Sequence, residues 1–448
     1  MRKLNAVFLV LALLTAPCVL VFPRVGAVIA SENTWETMKP MPMPRTLPGI
    51  GVVNGKIYVI GGGNRSGAMD VNEMYDPATN TWTKKRPMPQ ADSGFATAVY
   101  QSKVYCFGYG VNQVYDTATD AWEIKTADPT PRDVAAASVV NGKIYVIGGF
   151  DSWLAGDPNP SKLNEMYDPV TDSWTTMAPL PTAVAYCIST VVDNRIYVFG
   201  NTGNNNETQI YDPQIDTWSY GPSMPNPMAY ETGAATAGVY APKRIYLVGG
   251  LGVELTQIFD PETETWSIGA SMPTPRRFLS VAVADDLLYA IGGYDNAGNG
   301  LNFSNANERY VPFGYVLPLI VSISSPQNNQ EYGVSSVPLT FALNRYAESL
   351  SYSLDGAENV SISGNTTLNG LANGEHTIVV YATDNQGKTG ISQTIYFTIT
   401  RQENQPPTTT PTTPLITAAE IALAAVITFA GIGMIIYSVK RKNKQPNP

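Results

Sequence analysis

Three arginines and three glutamates have the types and spacing to do chemistry together in this 448-residue chain. Arg45, Arg132 and Arg276 each stand thirteen residues ahead of a tyrosine: Tyr58, Tyr145 and Tyr289. Glu73, Glu165 and Glu308 each stand two residues ahead of another tyrosine: Tyr75, Tyr167 and Tyr310. Open to solvent, such a set could bind an anion and move a proton. Buried, each arginine would neutralise its glutamate, and neither could stand alone. The second column continues as Gln113, Gln209 and Gln257, and there the matching segments carry no arginine. A buried glutamate needs a cation and a neutral glutamine does not, so the coincidence favours three structural pairs: Arg45 with Glu73, Arg132 with Glu165, Arg276 with Glu308.

Other chemistry is sparsely equipped. His376 is the only histidine, so neither a histidine-rich metal site nor a Ser-His-Asp arrangement can be assembled around the arginines. Cys106 and Cys187 are the cysteines outside the leader. They fall in different repeats and are expected to be buried thiols without a disulfide. No phosphate-binding loop is present, and no catalytic residue, metal or cofactor is expected.

A repeat positions these residues. One unit reads Ile57-Tyr58-Val59-Ile60-Gly61-Gly62, then Met74-Tyr75-Asp76-Pro77, Thr81-Trp82 and Pro87-Met88-Pro89. Its first tyrosine recurs at Tyr105, Tyr145, Tyr197, Tyr246 and Tyr289, and its tryptophan at Trp122, Trp174, Trp218 and Trp266. The apolar runs are short strands, the glycines allow sharp turns, and each tryptophan should pack between neighbouring sheets. A four-stranded sheet of this kind cannot bury both faces alone, so the copies must stack around an axis. The sixth copy lacks its tryptophan strand, and the missing piece stands at the other end of the chain as Thr34-Trp35. The expected architecture is all-β, with six blades over residues 31–316 closed by the strand around Trp35.

The glycine pair, Tyr-Asp and Trp in this order resemble the kelch repeat family over residues 34–313. The resemblance implies a β-propeller with a central channel and long loops on one face. In some kelch-like proteins arginines near the inner strand line the ligand-binding mouth, and some bacterial kelch-like propellers epimerise sialic acids with Glu and Arg. The kelch-like copper oxidases need histidine ligands, which this propeller lacks. The loops after the glycine pairs offer Asn64, Arg65, Asp151, Trp153, Asn204, Asn205, Asp295 and Asn296 as candidate ligand-binding residues.

Residues 317–400 carry no repeat. Alternating strands separated by Asp355-Gly356, Asn369-Gly370, Asn373-Gly374 and Asn385-Gln386-Gly387 predict some seven strands in an Ig-like sandwich. The segment resembles Ig-like modules of prokaryotic surface proteins, archaeal ones included. Arg2 and Lys3 ahead of an apolar run, with Val28 and Ala30 before Ser31, read as a signal peptide over 1–30. Residues 401–414 read as a Thr/Pro-rich stalk and 415–439 as a single transmembrane helix. The basic tail 440–448 places the C-terminus in the cytoplasm of a type I plasma-membrane protein. Asn64, Asn206, Asn302, Asn359 and Asn365 are candidate glycosylation sites. Without the terminal segments, 21 cations face 36 anions, which argues against nucleic acid as partner. The expected role is cell-surface recognition or adhesion, with an extracellular protein, peptide or glycan as partner and the bilayer holding the C-terminal helix. A sugar-modifying enzyme and a structural scaffold are the alternatives.

Overall fold

The computed structural model describes residues 31–108, 110–150, 159–200, 206–227, 232–250, 254–295 and 302–401. They form two compact units, divided between Pro318 and Leu319. No helix among the described residues is long and apolar enough to cross a membrane. The predicted leader and membrane segment, the tail, and the stalk beyond Arg401 lie outside the described residues.

The first unit is a ring of six antiparallel four-stranded blades. Blade 1 runs Gly49–Val53, Lys56–Ile60, Asn72–Asp76 and Thr81–Lys84, from the channel outwards. Blade 2 begins at Ala96–Tyr100, blade 3 at Ala136–Val140, blade 4 at Ile188–Val192 and blade 5 at Thr232–Ala235. Blade 6 takes three strands from Ser280–Ala284, Leu287–Ile291 and Asn307–Val311, and its outermost strand from Thr34–Thr37. There Trp35 pairs with Tyr310, so the start of the chain seals its end. The glycine pairs make the tight approach between blades possible. A Cβ on Gly148 (φ 67°) would meet the Val184 carbonyl at 2.6 Å, and one on Gly149 (φ 93°) the Asp133 carbonyl at 2.8 Å.

Aromatic rings carry each seam. The second-strand tyrosine of one blade meets the third-strand aromatic of the next. These pairs are Tyr58–Tyr115, Tyr105–Tyr167, Tyr145–Tyr211, Tyr197–Phe259, Tyr246–Tyr310 and Tyr289–Tyr75, with ring centroids 5.6–6.0 Å apart. Each repeat tryptophan then donates its indole N–H to a carbonyl in the linker from the preceding blade: Trp82 to Lys39, Trp122 to Arg86, Trp174 to Thr126, Trp218 to Ala178, Trp266 to Pro222 and Trp35 to Ala270. In blade 3 the Asp172 carboxylate accepts from that same linker residue, Thr126 N–H, and from Tyr167 Oη. The linker is thus held at both its C=O and its N–H.

Blade 5 replaces all three parts of this clamp at once. Phe259 has no hydroxyl, Pro222 has no N–H, and Glu264 stands where the aspartate would be. Asp172→Ala is therefore expected to lower stability by about 1–3 kcal/mol more than Glu264→Ala, because only the former orphans donors. Both residues sit at nearly equal positive φ, 52° and 53°, so the backbone cost largely cancels. Urea unfolding of the two variants measures the difference.

The second unit is a β-sandwich. One sheet holds Val321–Ser325, Val337–Leu343 and Thr366–Leu368. The other centres on Gly374–Thr383, flanked by Ser349–Leu354 and Ile395–Ile399. Val321, Val337, Leu339, Ile378, Val380 and Phe397 fill the space between them. Nine strands are present among the described residues rather than seven, the additional ones being three-residue edges such as Gln330–Tyr332 and Val360–Ile362. The alternating stretch from Ile391 to Ile399 does not form one continuous strand. Buried Ser392 accepts the Val380 N–H and donates to Gln393 O, which separates Thr389–Ile391 from Ile395–Ile399.

Candidate functional site

All three arginines are buried, and their guanidinium groups point into the blades. Arg45 Nη1 lies 2.6 Å from Glu73, Arg132 Nη2 2.9 Å from Glu165 and Arg276 Nη2 2.7 Å from Glu308. Each also donates to the second strand of its own blade, at Val59 O, Val146 O and Ala290 O. Burial pulls the Arg45 and Arg276 guanidinium groups down, and the partner carboxylates pull them back up. In the other blades the glutamine does this work alone. Gln113, Gln209 and Gln257 each accept a linker N–H and return a bond to the same residue's C=O, at Gln90, Thr182 and Asn226. The pairs and the glutamine amides fasten the linkers to the blades. The arginines are at most 2% exposed, which closes them to a substrate.

The open chemistry lies above them, where each linker enters the channel. One residue eleven ahead of the repeat tyrosine takes a left-handed backbone: Leu47 (φ 51°), Gly94 (78°), Val134 (50°), Tyr186 (51°) and Phe278 (52°). Their backbones are joined head to tail. Leu47 N–H donates to Phe278 O at 2.8 Å, Gly94 N–H to Leu47 O at 3.1 Å, Val134 N–H to Gly94 O at 2.7 Å and Tyr186 N–H to Val134 O at 3.0 Å. The corresponding segment of blade 5, 228–231, lies outside the described residues. A left-handed conformation costs a bulky residue roughly 1 kcal/mol, and Val134 is the least suited of the five. Such strain persists only where the surroundings enforce it. Here it turns four large side chains around the mouth.

The mouth is apolar and aromatic. Tyr186 meets Phe278 at 5.4 Å and Phe150 at 5.6 Å between ring centroids. The Arg277 guanidinium lies 5.6 Å from the Phe278 ring and 5.0 Å from that of Tyr294. Below lies a cavity of about 300 Å³, lined by Leu47, Val134, Cys187 and Leu279 among others, without a charged side chain among the described residues. Three of the hydroxyls that line it, those of Ser189, Ser280 and Thr97, are engaged. Ser138 and Ser189 are bonded at 2.7 Å, Ser280 donates to Pro48 O, and Thr97 donates to Ile50 O. The arrangement suits binding through rings and one guanidinium, and no described side chain there pairs a nucleophile with a base.

The loop residues singled out from sequence fall around this mouth or outside the described residues. Asn64 accepts Ser66 N–H at the tip of the small hairpin Gly63–Asn64 and Gly67–Ala68, beside exposed Arg65. Both oxygens of Asp295 accept from Asn302 Nδ2 at 2.8 Å, so Asp295 is engaged within its own loop. Asp151, Trp153, Asn204, Asn205 and Asn296 lie outside the described residues. Of the sequon asparagines, Asn206, Asn302, Asn359 and Asn365 are exposed and Asn64 is half-buried. Cys106 is buried as expected, but Cys187 is only half-buried because it lines the mouth. His376 belongs to the second unit, where Nδ1 lies 2.7 Å from Asp355 and Nε2 2.9 Å from Ala372 O. Asp92 stands where blades 1, 3 and 6 carry arginine, and burial pushes its carboxyl up to about 6.

Sequence reasoning missed the left-handed column. Its only visible signal was a constant offset, since Leu, Gly, Val, Tyr and Phe share no chemistry.

Family comparison agrees with this geometry. The KLHDC2/KLHL20/DRC7 Kelch-repeats domain matches residues 111–293, and the Kelch motif matches 44–89 and 275–312. Residues 44–312 belong to the kelch repeat family. Beta-scruin of Limulus polyphemus is 27% identical over 173 residues, 38% of this chain and 14% of that protein. Human Kelch-like protein 35 is 36% identical over 176 residues, 39% of this chain and 30% of that protein. The chain thus spans less than a third of the length of these kelch relatives. Among solved structures, that of YjhT superposes with a TM-score of 0.50 at 15% identity, over 60% of this chain and 96% of that one. This likeness supports the kelch-type propeller fold.

Proposed function

We propose that this kelch propeller is a recognition module of the cell surface that binds a protein or peptide partner at the channel mouth. The observation that carries this reading is Arg277 seated against Phe278 and Tyr294, next to Tyr186 and Phe150, above an uncharged cavity. Aromatic side chains and arginine dominate binding energy at protein interfaces. They also stack on sugar rings, so a glycan is the competing ligand class. Kelch relatives bind proteins, which favours the peptide. The Arg–Glu chemistry of a sugar-modifying enzyme has no support in the geometry, because those residues are closed.

The surface setting rests on sequence. A leader over 1–30 and a span over 415–439 followed by Lys440, Arg441, Lys442 and Lys444 support a type I membrane protein. The sandwich is Ig-like in this reading and spaces the propeller from the bilayer. Full-length protein in lipid nanodiscs, screened on peptide and glycan arrays, tests the proposal. For a peptide hit, Arg277→Ala and Tyr294→Ala are each expected to weaken Kd about tenfold or more, with the melting temperature retained. Binding only to glycans would replace the partner class, and a hit indifferent to both substitutions would refute the site.

A further inference from the structure

Blade 3 breaks a rule that the other blades keep. Four residues ahead of the arginine column, each linker buries one side chain against the blade: Met41, Met88, Leu180, Met224 and Met272, all at most 3% exposed. In the linker into blade 3 this slot holds a carboxylate, Asp128, itself 7% exposed. The substitution is direct. In blade 6, Met272 Sδ lies 3.6 Å from Arg276 Nη2. In blade 3, Asp128 Oδ2 lies 3.1 Å from Arg132 Nη2.

Arg132 therefore faces two buried carboxylates with one positive charge. Its Nη2 also lies 2.9 Å from Glu165, whose other oxygen accepts from Thr130 Oγ1 at 3.2 Å. Across the sheet Glu165 is paired with Val146 and Thr176, neither of them charged. From the linker come Asp128, Thr130 and Arg132. Arg132 Nε and Nη1 find no hydrogen-bond partner among the described residues. By contrast, Arg276 directs all three nitrogens at acceptors in blade 6: Thr274 O, Gly292 O, Ala306 O, Ala290 O and Glu308. A surplus buried negative charge is costly, and taking up a proton removes it.

We propose that Glu165, buried beside Asp128, holds a proton and releases it as pH rises, making the joint between blades 2 and 3 a pH-sensitive element of the ring. Burial, then Asp128, push the Glu165 carboxyl up to about 7. A carboxyl raised in the folded state binds its proton more tightly than the unfolded chain does. The contribution of Glu165 to stability is therefore fully present below about pH 4.5 and is lost between about pH 4.5 and 7.

Hydrogen exchange of the full-length chain, followed by mass spectrometry at pH 5.5 and 8 with times scaled for the intrinsic rate, tests the joint. Peptides covering 126–133 and 164–168 are expected to lose protection roughly tenfold or more at pH 8, while the matching peptides of blades 1 and 6 do not. Asp128→Met, which restores the residue type of the other linkers, is expected to abolish that loss. Asp128→Asn keeps the shape and is expected to do the same, which covers a methionine that fails to fit. Equal pH dependence in the wild type and both variants, or none in the wild type, would overturn the proposal.

Discussion

Asp286→Ala is expected to destabilise the propeller by about 3–5 kcal/mol, one of the two largest effects of a single substitution in this chain. Asp286 is 2% exposed, and its carboxylate accepts four backbone N–H groups, from Ala237, Val239, Tyr240 and Ala241, at 2.5–3.1 Å. The reason lies in blade 5. In the other five blades the two inner strands are joined by two residues at positive φ, as at Asn54-Gly55 and Asp285-Asp286, the twisted turn that antiparallel strands prefer. In blade 5 residues 236–244 make that connection, and their N–H groups have no facing strand. The turn of blade 6 supplies the acceptor. Each orphaned buried donor costs about 1–3 kcal/mol, and the loop can recover part of this by turning towards water. Asp286→Asn retains one acceptor oxygen and suits positive φ, so about half the loss is expected. Urea unfolding followed by tryptophan fluorescence reads both variants; an Asp286→Ala protein within about 1 kcal/mol of wild type would contradict the assignment.

Such an anchor is invisible in sequence, and the contrast with what was visible is instructive. The ring, its six copies and its closure by Trp35 follow from periodicity, because every copy needs the same strand, turn and tryptophan. The Arg–Glu pairs follow from a coincidence of two columns. A third column accompanies them on the outer strand. Directly across from Glu73, Glu165 and Glu308 stand Lys84, Thr176 and Thr37, and across from Gln113, Gln209 and Gln257 stand Ile124, Tyr220 and Ile268. What periodicity conceals is departure from the repeat. Asp128 in a methionine slot, Asp286 serving a neighbouring blade and Cys187 at the mouth look like ordinary surface variation until a fold places them. The mouth was hidden for another reason. Its residues are united by a backbone conformation, and Leu47, Val134, Tyr186 and Phe278 are not residue types that announce positive φ.

Arg276→Met is expected to cost about 3–5 kcal/mol, and adding Glu308→Gln is expected to restore most of it. Removing the guanidinium leaves the Glu308 carboxylate buried with only Thr274 Oγ1 bonded to it at 2.8 Å, and an uncompensated buried charge is far more costly than a missing pair. The glutamine blades show the neutral solution already in use. There the amide alone holds the linker at both N–H and C=O. Blade 3 must behave differently. Arg132→Met with Glu165→Gln still leaves Asp128 buried, so the double variant is expected to recover only part of the loss, and adding Asp128→Met the remainder. Thermal unfolding of the two series separates these outcomes. An Arg276→Met protein as stable as wild type would show that the charge is satisfied from elsewhere. Full recovery in the blade 3 double variant would show that Asp128 is not carrying charge against Arg132. The two blades thus turn one repeated pair into a measurement of what a single extra carboxylate does inside it.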